Sequence, residues 1–222
     1  MKKLVCAGFA ICFSAIPMAF GEGRELFNGK DFEGWTFDII SSQVAPEEIW
    51  TVSDGEIVCK GRPLSVMRTT EEFENYELTL EWRWVGNPGN SGVLVHAGTP
   101  RERGVWPKSI EVQLAHEHAG DFWLIGETLV VDGREPLGRR IPHNGATAEK
   151  EPGEWNLLRV RCEGGRIVVH VNDVLVNDGH SASATRGAIC LQSEGANVNF
   201  RNIRLTPLHP QAAEDTNTDA AE

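Results

Sequence analysis

Residues 76–84 read YELTLEWRW, and the alternation in this stretch decides the fold. Tyr76, Leu78, Leu80, Trp82 and Trp84 fall on one side of an extended chain, with Glu77, Thr79, Glu81 and Arg83 on the other, because successive side chains of a strand point to opposite faces. A helix would scatter the same apolar residues around its axis. The period of two returns in NSGVLVHAG (90–98) and in NLLRVRCEGG (156–165), which ends on a Gly164-Gly165 turn. It continues in RIVVHVNDVLVND (166–178), a hairpin across Asn172-Asp173, then in GAICLQSEG (187–195) and NVNFRNIRL (197–205). Strand signals separated by Gly, Asn, Asp and Pro turns fill the chain from Ile57 to Leu205, and few windows carry a helical period. This spacing predicts an all-β antiparallel sandwich or jelly roll rather than βαβ units.

At 222 residues the chain fits one well-buried domain. It opens MKKLVCAGFAICFSAIPMAFGEG, with a basic start, an apolar run from Leu4 to Ile16, and small residues at Ala19 and Gly21. That pattern predicts an export signal at 1–21, cut after Gly21, and a mature protein in the periplasm or outside the cell. The run is short and broken by Ser14 and Pro17, so no membrane span is expected in the mature form. Cys6 and Cys12 lack the small residue that precedes a lipidated cysteine. The mature domain is expected at 22–207, including a long surface loop from Val131 to Pro152, and the tail at 208–222 is expected to be disordered for lack of apolar residues.

Losing Lys2 and Lys3 with the signal moves the formal charge from −11 to −13. Such an acidic chain repels nucleic acid and anionic membrane, and favours neutral or weakly charged partners. The basic pairs Arg101/Arg103 and Arg139/Arg140 read as solvated loop charges. Cys59, Cys162 and Cys190 lie in apolar alternating runs and read as core; their odd number argues against a disulfide scaffold.

Chemistry concentrates in WPKSIEVQLAHEHAGDFW, residues 106–123. In SIEVQLA, Ile110, Val112 and Leu114 share one face and Ser109, Glu111 and Gln113 the other. Side chains two apart on a face are separated by about 7 Å, so Glu111 and Gln113 can address neighbouring atoms of one ring. Trp106 and Trp123 supply apolar platforms for it. A solvated sheet face gives the same alternation.

NSGVLVHAG, WPKSIEVQLAHEHAGDFWLIGE, GEWNLLRV and GAICLQSEGANVNFRNIRLTPL, preceded by ELFNGKDFEGW at 25–35, resemble in order the motifs of the 3-keto-disaccharide hydrolase family, also named for 3-keto-glucoside 1,2-lyase and 3-keto-2-hydroxyglucal hydratase activity. The resemblance covers nearly all of the chain up to Pro207. It implies a concanavalin A-like jelly-roll sandwich of two antiparallel sheets and a substrate that is a neutral carbohydrate oxidised to a ketone at C3. The ketone acidifies the C2 proton; a base removes it, the C1 substituent leaves by β-elimination, and water adds to the 2-hydroxy-3-ketoglucal. Such a site needs a base near C2, a donor or cation at the developing enolate, and an acid for the leaving oxygen.

Glu111 is the first candidate for the base, with His96 and His116 as rivals. Lys108 is the candidate to polarise the carbonyl, although its parity is opposite to that of Glu111, and Asp121 could orient a histidine or donate a proton. Gln113, Gln192 and Glu194, with Trp106 and Trp123, are candidates to hold the sugar. No cofactor is required; a divalent metal on His96, Glu111, His116 and Asp121 is an open alternative without diagnostic spacing. Two other functions stay open. A non-catalytic carbohydrate-binding module uses the same platforms. A conventional retaining glycosidase needs paired carboxylates, but the E-x-D-x-x-E strand of laminarinase-type enzymes is here Glu111, Gln113 and His116.

Overall fold

The computed structural model describes residues 18–210. The expected export signal, apart from its last residues, and the tail beyond Pro210 lie outside the described residues. In chain order the strands are β1 (Met18–Phe20), β2 (Arg24–Glu25), β3 (Trp35–Ile39), β4 (Trp50–Ser53), β5 (Glu56–Cys59), β6 (Ser65–Thr69), β7 (Tyr76–Trp84) and β8 (Gly92–Ala97). They continue with β9 (Ser109–Gln113), β10 (Phe122–Ile125), β11 (Arg140–Ile141), β12 (Asn156–Glu163), β13 (Arg166–Val171), β14 (Val174–Gly179), β15 (Ala188–Ser193) and β16 (Val198–Pro210).

They form two antiparallel sheets. One runs β14-β13-β12-β7-β16-β5-β4, with β1 and β2 also paired to β16; the other runs β11-β10-β9-β8-β15-β6-β3. This is the expected jelly roll. In β7 and β12 buried and half-buried residues alternate along the whole strand, so their apolar rows meet the opposite sheet while the polar rows face outward. Trp50, Trp82, Tyr76 and Phe122 are among the largest fully buried side chains. A buried indole N–H needs a partner, and Trp50 Nε1 finds one across the sandwich, donating to Ser65 Oγ of β6 at 2.9 Å. The hairpin at Asn172-Asp173 forms as predicted: φ values of 48° and 65° place both residues in the left-handed region, which a two-residue turn matched to strand twist requires. Cys59, Cys162 and Cys190 are buried free thiols.

The seven-stranded sheet carries the site because its outer face is half roofed. Every residue of β8, β9 and β15 is buried. Val93, Val95, Ile110, Val112 and Leu191 point into the main core. Leu94, Ala188 and Cys190 point outward, where Val105 and Trp106 cover them. These two residues belong to a strap between β8 and β9. Gly98 N–H donates to Lys108 O and Lys108 N–H to Thr99 O, each at 2.8 Å, which closes the base of the strap; Arg103 and Trp106 exchange backbone bonds at its tip. Gly104, at φ 63°, makes that tight turn.

Two sequence expectations change. The segment 131–152 is not featureless: Val131 bridges to Arg134, Leu137 to Arg140, and β11 pairs with β10. The last strand runs on to Pro210, where Met18–Phe20 pair with it, so ordered chain extends three residues past the expected boundary at Pro207. Cleavage after Gly21 would remove β1. Among the described residues no helix is long and apolar enough to cross a membrane.

Candidate functional site

Beside the strap, over β9 and β10, a cleft of about 270 Å³ opens between Trp106, Trp123, Glu111, Gln113, Glu194, Asn90, Arg103, Arg139 and Ile125. Strand register assembles its floor. Trp123 stands directly across from Glu111, and Glu111 from Leu94; Gln113 lies opposite Gly92. The alternation read from the sequence therefore places Glu111, Gln113 and Trp123 on one outward face. Trp106 comes from the strap and Glu194 from the turn after β15. That turn is pinned: Gly195 N–H donates to Gly61 O at 2.6 Å, and a Cβ on Gly61 would stand 2.2 Å from Ala196 O.

Glu111 is 5% exposed, and its Oε1 has no hydrogen-bond partner. Burial pushes its carboxyl up to about 8, helped by the charge of Glu194 and opposed by the Gln192 amide and the Arg139 guanidinium. Burial likewise lifts Glu194 to about 7. Desolvation penalises the charged form, so both carboxyls hold protons at pH values where a surface glutamate has lost its own. Gln192 is fully buried, and neither of its amide atoms completes a hydrogen bond. Its Oε1 and the Glu111 Oε1 both fold over Gly92, where a Cβ would stand 2.3 Å from the first and 2.6 Å from the second. Glycine at this position makes the room in which the carboxyl sits.

Other candidates do not meet there. In an unbroken strand His96 would share the outward parity of Leu94; instead a bulge, marked by φ 52° and a register shift opposite it, turns the ring inward. It packs edge-on against Tyr76 at 5.8 Å, its Nδ1 lies 2.9 Å from Ala184 O, and burial holds its pKa below the ordinary value. Lys108 precedes the strand and pairs with Glu127 at 3.4 Å, away from the cleft. Asp121 is fully buried and engaged by Arg140 Nε at 2.6 Å and by the His143 backbone. His116 lies 3.4 Å from Glu149 and does not line the cleft. Gln192 sits beneath Glu111 rather than on the cleft wall. The metal set His96, Glu111, His116 and Asp121 is thus dispersed, and among the described residues no three His, Cys, Asp or Glu side chains gather to hold an ion.

Gln113 does line the cleft, but its Oε1 accepts from Leu114 and Ala115 N–H at 2.9 Å each, leaving the amide nitrogen for a ligand. Sequence reasoning missed Asn90, Arg103 and Arg139. The guanidinium of Arg139 lies 5.3 Å from the Trp123 ring centroid, and the Asn90 amide oxygen is buried without a partner. The two arginines come from loops without period, where residue type alone reads as solvated charge.

Fold and cleft together define the class, a jelly roll of the carbohydrate-active kind, with aromatic walls over a carboxyl floor. Residues 22–206 match the profile of the 3-keto-alpha-glucoside-1,2-lyase-like domain, and the chain belongs to that family. Two candidate glycosyl hydrolases from Parabacteroides distasonis are similar in structure. The first is 24% identical with TM-score 0.62, covering 84% of this chain and 100% of its own. The second is 23% identical with TM-score 0.62, covering 82% and 92%. A carbohydrate-binding module from Bacillus subtilis matches at 15% identity and TM-score 0.54, covering 77% and 94%. At such identities the likeness speaks for the fold. None of the curated proteins matches the sequence.

Proposed function

We propose that this protein cleaves 3-keto glycosides by β-elimination across C1–C2 and hydrates the resulting 2-hydroxy-3-ketoglucal. The observation that carries the reading is the buried, unpartnered Glu111 carboxyl between two indoles. Ionised Glu111 takes the C2 proton, and the C–H electrons pass to the C3 oxygen as an enolate. Arg139, close enough to act on the Glu111 charge, takes the part first expected of Lys108 and stabilises that oxyanion. Collapse of the enolate forms C1=C2 and expels the C1 oxygen, which receives a proton from Glu194. In hydration the steps reverse with water: its oxygen adds to C1, its proton passes to Glu194, and Glu111 returns the proton to C2. The sum is hydrolysis, with both carboxyls restored and no covalent intermediate. The small cleft, below the roughly 300–1,000 Å³ usual for drug-sized ligands, suits one ring with a short substituent.

Family membership supports the reaction class, and the missing middle acid of the laminarinase-type strand disfavours ordinary retaining hydrolysis. The test is incubation of the purified protein with a 3-keto glucoside, with and without chelator. Transient absorbance of the enone followed by free 3-keto sugar is expected. Tight binding of the glycoside without any turnover would replace this reading with that of a binding module.

A further inference from the structure

Charge placement in the cleft points to a narrower substrate class. Eleven arginines stand in ion pairs with carboxylates, from Arg24 with Glu71 to Arg204 with Glu25. Among the described residues Arg62, Arg103, Arg134 and Arg139 form no such pair, and two of these four line the same cleft. Glu111 and Glu194 share that cleft yet close no ion pair with either arginine. In a chain of net charge −11, where carboxylates are abundant, two guanidiniums are left free at one site.

Their positions differ. Arg139 acts on Glu111 and lies against Trp123, which sets it on the Glu111 side of the cleft. Arg103 comes from the strap between β8 and β9. Its backbone is held in the strap hairpin by N–H···O bonds with Trp106 at 3.1 and 3.0 Å, and the residue lines the cleft while remaining exposed to solvent. A rigid, two-pronged donor at a cleft mouth is the group that recognises a carboxylate, sulfate or phosphate. The acidic chain disfavours anions at long range, and Arg103 reverses this locally.

We propose that the preferred glycoside carries an anionic group on its C1 substituent, and that Arg103 binds it. The inference rests on the proposed function for the placing of C1, but its test does not require turnover. Site tryptophan fluorescence would be titrated with phenyl, 4-carboxyphenyl and 4-sulfophenyl glucosides of both anomers at low salt. Wild type should bind one or both charged ligands at least about tenfold more tightly than the phenyl glucoside, and the two arms separate carboxylate from sulfonate. The preference should shrink in 0.5 M salt, about the concentration at which contacts beyond a few ångström are screened. Arg103→Gln should bring the charged and uncharged ligands within about twofold of one another, and Arg103→Lys, which keeps the charge and loses the fork, should restore part of the difference. Equal affinities in wild type, or a preference that survives Arg103→Gln, would overturn the proposal. Turnover of an uncharged 3-keto glucoside, measured separately, shows which reading has failed.

Discussion

Tryptophan, arginine and glutamate occur together twice on the outer surface of this sandwich, and the two sets are used in opposite ways. On the nine-stranded sheet Trp155 lies between the guanidiniums of Arg83 and Arg201, at 4.6 and 4.0 Å from its ring centroid. Each guanidinium is closed off by a carboxylate, Arg83 by Glu56 at 2.8 Å and Arg201 by Glu81. Both guanidiniums and both carboxylates of that set are engaged in ion pairs within the protein. In the cleft Trp123 has Arg139 beside it, but Glu111 has no hydrogen-bond partner and Arg139 no carboxylate. Leaving a buried polar atom unpaired costs about 1–3 kcal/mol, so the second set holds its unpaired groups at the expense of stability. The same residue types make a structural brace where they are satisfied and a candidate reactive site where they are not.

The open set is most vulnerable at Glu111. Glu111→Gln keeps the shape and the neutral state that dominates at pH 7, and removes the proton acceptor. Turnover of a 3-keto glucoside should fall by about 10³-fold, within the span usual for a positioned base, while the melting temperature holds or rises. Unchanged turnover would remove Glu111 from the reaction. Next in size is Gly92→Ala. The new methyl would meet only the far ends of the Glu111 and Gln192 side chains, so the fold should survive while the carboxyl is pushed aside. A displacement of about 1 Å costs on the order of 10²-fold in rate. The expected loss lies in kcat, with the melting temperature nearly constant; a lost fold with no soluble protein would show that Gly92 serves packing instead.

How far such a site can be foreseen depends on whether its residues obey a period. Glu111, Gln113 and Trp123 were legible because a strand of alternating residues has only two faces, and Ile110 and Val112 claim the inner one. His96 was misplaced because one bulge residue inverts parity, and the positive φ that permits it leaves no mark on a Val-His-Ala sequence. Arg103 and Arg139 were illegible for a different reason: a loop charge carries no directional information until the chain folds it over something. Gln192, expected to hold the sugar, lies instead beneath Glu111, and only coordinates show that it shares the space above Gly92 with that carboxyl. The fold needed none of this: the alternation in YELTLEWRW and the later strands was enough for an antiparallel sandwich or jelly roll, and the family resemblance narrowed it to the two-sheet jelly roll.

The two cleft carboxyls also respond to pH. With Glu111 at about 8 and Glu194 at about 7, the pair carries a single proton mainly between those values. Elimination as proposed needs the arrangement with Glu111 ionised and the proton on Glu194, which is the minor form of that state because Glu111 holds its proton to the higher pH. Its share of the singly protonated pair is constant, so kcat/KM should still be bell-shaped with its maximum between pH 7 and 8. A flat profile from pH 5 to 9 would sink the two-carboxyl scheme. Stability should move as well. The folded value of Glu111 lies above the ordinary 4.5, so the native state holds the proton more tightly than the unfolded chain does. That stabilisation is complete below about 4.5 and is lost as pH rises through about 8, a contribution on the order of a few kcal/mol. The melting temperature of the wild type should therefore decline across this window more steeply than that of Glu111→Gln.

The smallest effect is expected where the surface is already satisfied. Arg166 pairs with Asp178 at 2.6 Å on the edge of the nine-stranded sheet, both side chains well exposed. Exposed pairs contribute about 0–1 kcal/mol, since water screens the attraction and ordering two long side chains opposes it. Arg166→Ala should shift the melting temperature by no more than a few degrees, less in high salt, and leave turnover and ligand preference unchanged. If this variant altered turnover as much as a cleft variant does, the division between braced and open charge would be wrong, because a closed ion pair on the far sheet would then be acting on the site through the core. An effect confined to stability would mean that free charge, rather than charge itself, marks where this jelly roll meets its ligand.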